Sequence, residues 1–383
     1  MVYFIYFLII VTFVDTFSQL PIMSPFAQGL GASAILIGII IGMYSFTNIA
    51  GNMISGYYID RKGVKGILSI GLVLTGIVLI MYAYVSTPGQ LLIVRFFHGL
   101  TGGLLVPAAF TYLANNDSGE KKGKVMALSG AGVGLASIIG PAYGGIISSK
   151  FGPGYVFTSI GILMIVTAVF AFFILPEKKV VAEKKQSTAA KGVIWELCRR
   201  PGLVLSYVGA FSLMFSQGII AYALPLRVEG LGFDSSLSGI LMSTFAITST
   251  LIFILPTNRL YDRFSFALTM MAGLLILSMA LIMLEFATMQ GLLYVIMCFY
   301  GVGFALIFPS MTALVASNAD ASERGKAYGL FYGFFSLGVV AGAFVSGLFS
   351  ETPFGVFTVG AVCLVLGVSG LWLYNRTSAQ KAA

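Results

Sequence analysis

The sequence predicts an all-α membrane protein whose twelve transmembrane helices form two pseudo-symmetric six-helix bundles. Three observations predict it: a composition too apolar for water, twelve apolar runs of spanning length, and a repeat relating the two halves of the chain.

Of 383 residues, 58% are hydrophobic and only 9% charged, with a mean hydropathy of +0.97. Soluble chains are about 25% charged, so charge this sparse cannot cover a water-facing surface. The net charge of +8 is dispersed in short clusters between apolar runs. That pattern suits an anionic membrane leaflet and excludes nucleic acid as an expected partner. Cys198, Cys298 and Cys363 are odd in number and lack ligand spacing, and there is one histidine. Neither a disulfide framework nor a metal site is expected. The first apolar run begins at Met1 without a basic leader or cleavage site, so it is expected to remain as a helix.

Crossing the hydrocarbon core takes about 20 mostly apolar residues. Runs of that kind lie at 2–27, 35–58, 66–86, 89–114, 123–149 and 154–175, then at 201–228, 235–257, 264–286, 289–316, 324–350 and 353–375. We number them spans 1 to 12. With both termini cytoplasmic, the inner loops and C-terminal tail hold 19 of the 22 Lys and Arg residues. Lys150 and Arg227 fall outside, and Arg95 lies within span 4. The positive-inside rule thus predicts an even number of spans with both ends in the cytoplasm. The expected organisation is an N-terminal bundle over 1–175, a charged linker with a short surface helix over 176–200, and a C-terminal bundle over 201–383.

The halves superimpose at an offset of 202 residues. Asp60-Arg61 matches Asp262-Arg263, Gly99 with Pro107 matches Gly301 with Pro309, and Gly140 with Gly145 matches Gly342 with Gly347. Gly29-Leu30-Gly31 matches Gly230-Leu231-Gly232 at 201, a one-residue slip near span 2. Parallel six-helix repeats are a transporter architecture, with a solute site near the midplane that alternates between sides.

Three motifs then carry a resemblance to a family. Gly56-Tyr57-Tyr58-Ile59-Asp60-Arg61-Lys62-Gly63-Val64-Lys65 follows span 2, Arg95-Phe96-Phe97-His98-Gly99 lies in span 4, and Gly140-Pro141-Ala142-Tyr143-Gly144-Gly145 lies in span 5. Together they resemble the major facilitator superfamily over essentially the whole chain, and the third resembles the signature of its twelve-helix drug–proton antiporter branch. The second-half copies are degraded: Asp262-Arg263 lacks the following glycine, and span 11 lacks the proline. The resemblance implies a gating role for Gly56, Asp60, Arg61, Gly63 and Lys65, with Asp117 a weaker member. Asp60 would dock near the N-terminus of span 11, around Glu323–Lys326, where an anion meets the helix macrodipole for about 0.3–2 kcal/mol. It further implies that Gly140, Pro141, Gly144 and Gly145 confer antiport. Physically they make a small-residue face for close helix approach, with a bend at the proline.

Charge inside the membrane points to coupling. Asp15 in span 1 and Arg95 in span 4 lie well within spans, and the second half has Ser216 or Gln217 and Met297 in their places. A lone charge at the bilayer centre costs at least ~2.5–3.5 kcal/mol, so each must face a cavity or a partner. Asp15 is expected to carry the coupling proton, its charged form favoured by Arg95, with His98 either relaying a proton or serving as a hydrogen-bonded packing residue; the competing expectation is a static Asp15–Arg95 pair. Ser18, Gln19, Asn48, Gln217, Tyr222, Tyr300, Phe304 and Tyr332 are candidate substrate-cavity residues. Aromatic faces suit lipophilic or cationic ligands, although most such rings serve packing.

No phosphate-binding loop or nucleophile–base pair appears, so no enzymatic activity and no cofactor beyond the proton are expected. The expected function is proton-coupled antiport exporting amphipathic or drug-like small molecules by alternating access. The alternatives are a porter of a small polar metabolite such as a sugar, or a lipid flippase. A monomer in a bacterial inner membrane is expected, with a small-molecule substrate and membrane lipids as its partners.

Overall fold

A computed structural model describes residues 2–114, 122–176, 190–255, 264–320 and 323–382. They form helices α1 (Val2–Ser18), α2 (Met23–Gly29), α3 (Ala34–Lys62), α4 (Val64–Met81), α5 (Pro88–Gly102), α6 (Leu105–Ala114), α7 (Lys122–Phe151) and α8 (Pro153–Ile174). After the short α9 (Ala190–Leu197) come α10 (Pro201–Gly230), α11 (Ser236–Ile254), α12 (Phe266–Phe286), α13 (Gln290–Asn318), α14 (Arg324–Phe349) and α15 (Val356–Ala382).

Among the described residues, ten helices are long and apolar enough to cross a membrane. The pair Tyr3–Ser18 and Met23–Gly29, bent by 46°, makes an eleventh, and Val356–Trp372 is a shorter apolar helix. These segments coincide with the twelve expected spans. The chain is a multi-pass membrane protein.

The helices begin and end where local chemistry requires. Ser33, Thr87 and Ser265 cap α3, α5 and α12, each accepting a backbone N–H three residues on. Inside the spans, many hydroxyls bond a carbonyl of their own helix, as Thr12 does that of Leu8 and Ser278 that of Leu274. Gly63 joins α3 to α4 at φ +84°, a conformation side chains resist, which explains the glycine in the first motif.

Contacts divide the chain into two compact units, Met1–Lys185 with Leu224–Ser243, and Gln186–Ala223 with Thr244–Ala383. In the first, α1 packs on α7, α3 on α5, and α4 on α8; in the second, α12 packs on α13 and α15. The sequence repeat recurs in this packing. A β-carbon on Gly99 would strike Thr47 and the Tyr44 carbonyl, and one on Gly301 would come within 2.7 Å of the Phe245 carbonyl and 2.8 Å of Thr248. Asn48 Nδ2 donates to the Gly99 carbonyl at 3.4 Å, and Ser249 Oγ to that of Gly301 at 3.0 Å. Each pair is related by an offset of 201 or 202 residues.

Candidate functional site

The first unit holds a buried polar network in which the expected coupling residues meet. Span 1 breaks after Ser18, and Gln19–Ile22 form a turn that carries Ile22 off the face it would share with Asp15 in a straight helix. Asp15, on the last turn of α1, is 1% exposed, and His98 on α5 is fully buried. The Asp15 Oδ2–His98 Nε2 distance is 3.1 Å, and His98 Nδ1 lies 3.0 Å from the Tyr82 hydroxyl. With the imidazole neutral, Nε2–H donates to the carboxylate and Nδ1 accepts from Tyr82. With it protonated, Tyr82 has only to turn its hydroxyl and accept.

Arg95 stands apart from Asp15. Its guanidinium donates to the carbonyls of Ile40 at 3.2 Å and Ile41 at 3.3 Å, and to Gln19 Oε1. Gln19 Nε2 donates at 2.8 Å to Asp15 Oδ1 and at 2.8 Å to the Asp15 carbonyl. The static Asp15–Arg95 pair is therefore not formed. An amide bridges the two, and the ring that faces Asp15 directly is that of His98. Arg95 also lies over the Tyr44 ring, 5.0 Å from its centroid, and Tyr44 reaches Thr16 at 3.2 Å. Arg95 thus has three hydrogen-bond partners and an aromatic face, which fix it as a stationary cation.

The glycines of the third motif press on the same end of α1. A β-carbon on Gly140 would come within 2.8 Å of Phe17 Cβ, and one on Gly144 would collide with the Ser18 carbonyl. Ser18 donates its hydroxyl to the Asp15 carbonyl at 3.0 Å. Backbone thus rests on backbone three residues from the carboxylate. On its other side α7 meets α11: a β-carbon on Gly145 would lie 3.0 Å from Gly239 Cα, and Ser243 donates to the Ile138 carbonyl at 2.6 Å. Beyond them, Ser149 Oγ bonds both Asp234 oxygens at 2.8 and 2.7 Å. Hydrogen bonds from Ser236 and then from Ser149 hold the Asp234 carboxyl below its ordinary range.

The remaining candidates divide between the units. In the first, Ser18 and Gln19 are buried and spent on the network, and Asn48 bonds the Gly99 carbonyl and accepts from Asn52 at 2.9 Å. In the second, Ser216 Oγ and the Tyr300 hydroxyl are 2.8 Å apart and fully buried. Phe245 meets Tyr300 edge to face, and Phe304 packs beside Phe245. Gln217 Nε2 is a buried donor without a partner, Tyr222 is buried and Tyr332 is exposed. Among the gating residues, Gly56 has open space beside it, Arg61 stacks on Tyr57 at 4.2 Å, and Lys65 lies over Phe172 at 5.1 Å. The Asp60 side chain and all of Asp117 lie outside the described residues. At the start of α14, Glu323 pairs with Arg200 at 2.8 Å.

Sequence reasoning missed Tyr82, Tyr44 and Thr16. The available signal was the tyrosine hydroxyls themselves, because a phenol inside a span needs a polar partner.

A family model described as Major Facilitator Superfamily matches residues 5–215 and 206–383. The chain belongs to the major facilitator superfamily. It is 22% identical to Multidrug resistance protein 2 of Bacillus subtilis, covering 97% of this chain and 94% of that one. It is 24% identical to Quinolone resistance protein NorA of Staphylococcus aureus, over 96% and 93%. An uncharacterized MFS-type transporter of Methanocaldococcus jannaschii is 26% identical over 86% of each chain. Among solved structures, a bacterial homolog of the human lysosomal transporter Spinster superimposes with a TM-score of 0.80 at 15% identity, covering 98% of this chain and 96% of that one. The nucleoside transporter NupG gives 0.75 at 17%, over 97% and 98%. The chain is an MFS transporter, and its fold is that of these solved proteins.

Proposed function

We propose that this transporter exchanges protons for amphipathic or drug-like small molecules, with the Asp15–His98 dyad as the proton site. The observation that carries the reading is a buried carboxylate that directly faces a histidine ring, while the nearby arginine is fixed elsewhere through Gln19. With His98 neutral, Arg95 and Asp15 balance, and an added proton gives the network a net positive charge. A cationic or amphipathic substrate arriving in place of that proton restores the balance, which is exchange. The resemblance in span 5 and the drug-resistance relatives support export as the direction.

Transmission follows from packing. Adding or removing a proton changes the hydrogen bonding at the end of α1, and α7 rests on that end through Gly140 and Gly144 with no side chain to absorb a shift. The expected orientation, both termini in the cytoplasm, rests on the Lys and Arg distribution. A bacterial inner membrane is the proposed location, and the monomer the proposed working unit.

The test is substrate-triggered proton movement in vesicles holding the purified protein, under an imposed pH gradient read by a pH-sensitive dye. Proton release by lipophilic cations, absent in Asp15→Asn, is the expected result. Equal release by the variant would overturn the role of Asp15. A second reading, a porter of a small polar metabolite, is favoured by the unpartnered Gln217 amide. Response to sugars or nucleosides alone in the same panel would establish it instead.

A further inference from the structure

Where α4 starts and α8 ends, the two helices leave a groove of about 390 Å³ between them. Its walls are Ser69, Ile70, Val73 and Leu74 on α4, and Val169 and Phe172 among others on α8. Ser69 apart, its lining is apolar. At its mouth, one turn before Ser69, Lys65 sets its ammonium over the Phe172 ring at 5.1 Å and makes no ion pair with any described residue. An apolar groove with a cation at its mouth that pairs with no described residue has the chemistry of a site for an acyl chain under a phosphate.

The second unit supplies an internal comparison. A groove of about 440 Å³ lies between α12 and α15, lined by Leu268, Met271, Ala272, Leu275, Val368, Ser369 and Trp372. Met271, Ala272 and Leu275 stand 202 residues after Ser69, Ile70 and Val73, so the two grooves are repeats of each other. Lys65 corresponds to Ala267, which is buried. The groove is thus shared, and among the described residues the cation at its rim belongs to the first copy.

We propose that the α4–α8 groove binds an anionic phospholipid, its acyl chain along Val73 and Phe172 and its phosphate on Lys65, whereas the α12–α15 groove takes an acyl chain without regard to headgroup. On the orientation given by the Lys and Arg distribution, the lipid belongs to the cytoplasmic leaflet, where anionic lipids attract basic residues. The site is independent of the proton chemistry at Asp15.

The experiment is native mass spectrometry of delipidated full-length protein in detergent, given equal phosphatidylglycerol and phosphatidylethanolamine with matched acyl chains. The wild type should retain phosphatidylglycerol about fivefold over phosphatidylethanolamine, the weight of one lysine near an anionic headgroup. Lys65→Gln should bring that ratio to about one without lowering total lipid. Val73→Trp, which fills the groove, should lower total lipid and remove the preference together. Leu275→Trp should lower total lipid and keep the preference. An unchanged ratio in Lys65→Gln overturns the proposal, and so does a preference lost in Leu275→Trp but kept in Val73→Trp. Because the readout is bound lipid, a failure of the antiport reading leaves the outcome unaffected.

Discussion

Span 1 meets span 4 through Asp15 and His98; span 7 meets span 10 through Ser216 and Tyr300. The two contacts occupy equivalent positions, offset by 201 residues at the first partner and 202 at the second. Even the neighbouring ring is repeated, Tyr44 lying edge to face on His98 and Phe245 on Tyr300. One copy of a helix-to-helix hydrogen bond is thus built from a carboxyl and an imidazole, and the other from two hydroxyls. The scaffold needs the bond in both halves, because a buried polar group without a partner costs about 1–3 kcal/mol. Only the first half builds it from an acid and a base. On the proposed reading, proton coupling is a substitution within a packing contact that both halves share.

The sharpest way to break this comparison is Asp15→Asn against Ser216→Ala. The first should reduce substrate-driven proton release to background while the melting temperature in detergent changes little. The second leaves the buried Tyr300 hydroxyl without its Ser216 partner, at a cost of about 1–3 kcal/mol, and should lower stability without altering the pH dependence of transport. Next is His98→Tyr, which gives the first half the aromatic partner of the second. It should preserve folding and substrate binding but cut the proton-coupled rate by about tenfold or more, as measured by stopped-flow dye response. If exchange survives with its pH profile unchanged, the dyad is structural in both halves.

Smaller effects are expected at the glycines. Gly144→Ala and Gly342→Ala each push a β-carbon into a carbonyl, of Ser18 and Phe215 respectively, and should each cost about 1–3 kcal/mol in thermal stability. Only Gly144→Ala, beside Asp15, should also shift the pH midpoint of transport. The smallest effect is Ser149→Ala. Asp234 has a lowered pKa in the folded protein, so its bond is fully present above pH about 4 and is lost only as pH falls further. The variant should leave the transport profile between pH 5 and 8 unchanged and cost a few tenths of a kcal/mol.

The twelve spans were legible because lipid demands long apolar runs, and the repeat because glycines at 99, 140, 301 and 342 admit no other residue where helices touch. Asp15, Arg95 and His98 stood out as charge or near-charge in apolar surroundings. Their pairing did not, because which of two candidates a carboxylate faces depends on rotation about the helix axis and on the break after Ser18. Gln19 looked like a substrate contact for the same reason, its composition showing polarity but not direction. Tyr82 lay at the end of an apolar run, where a tyrosine ordinarily anchors to the membrane interface.

The 83-residue separation between Asp15 and His98 also bears on how the protein is made. At about 5–20 residues per second, the histidine leaves the ribosome about 4 to 17 s after the aspartate. For that interval the first span is a hydrophobic segment carrying a carboxyl group whose histidine partner has not been synthesised. It must enter the bilayer as the neutral acid or wait at the translocon's edge until the fourth span arrives. The residue proposed for proton exchange in the finished protein thus sets a constraint on membrane insertion before it can take any part in transport.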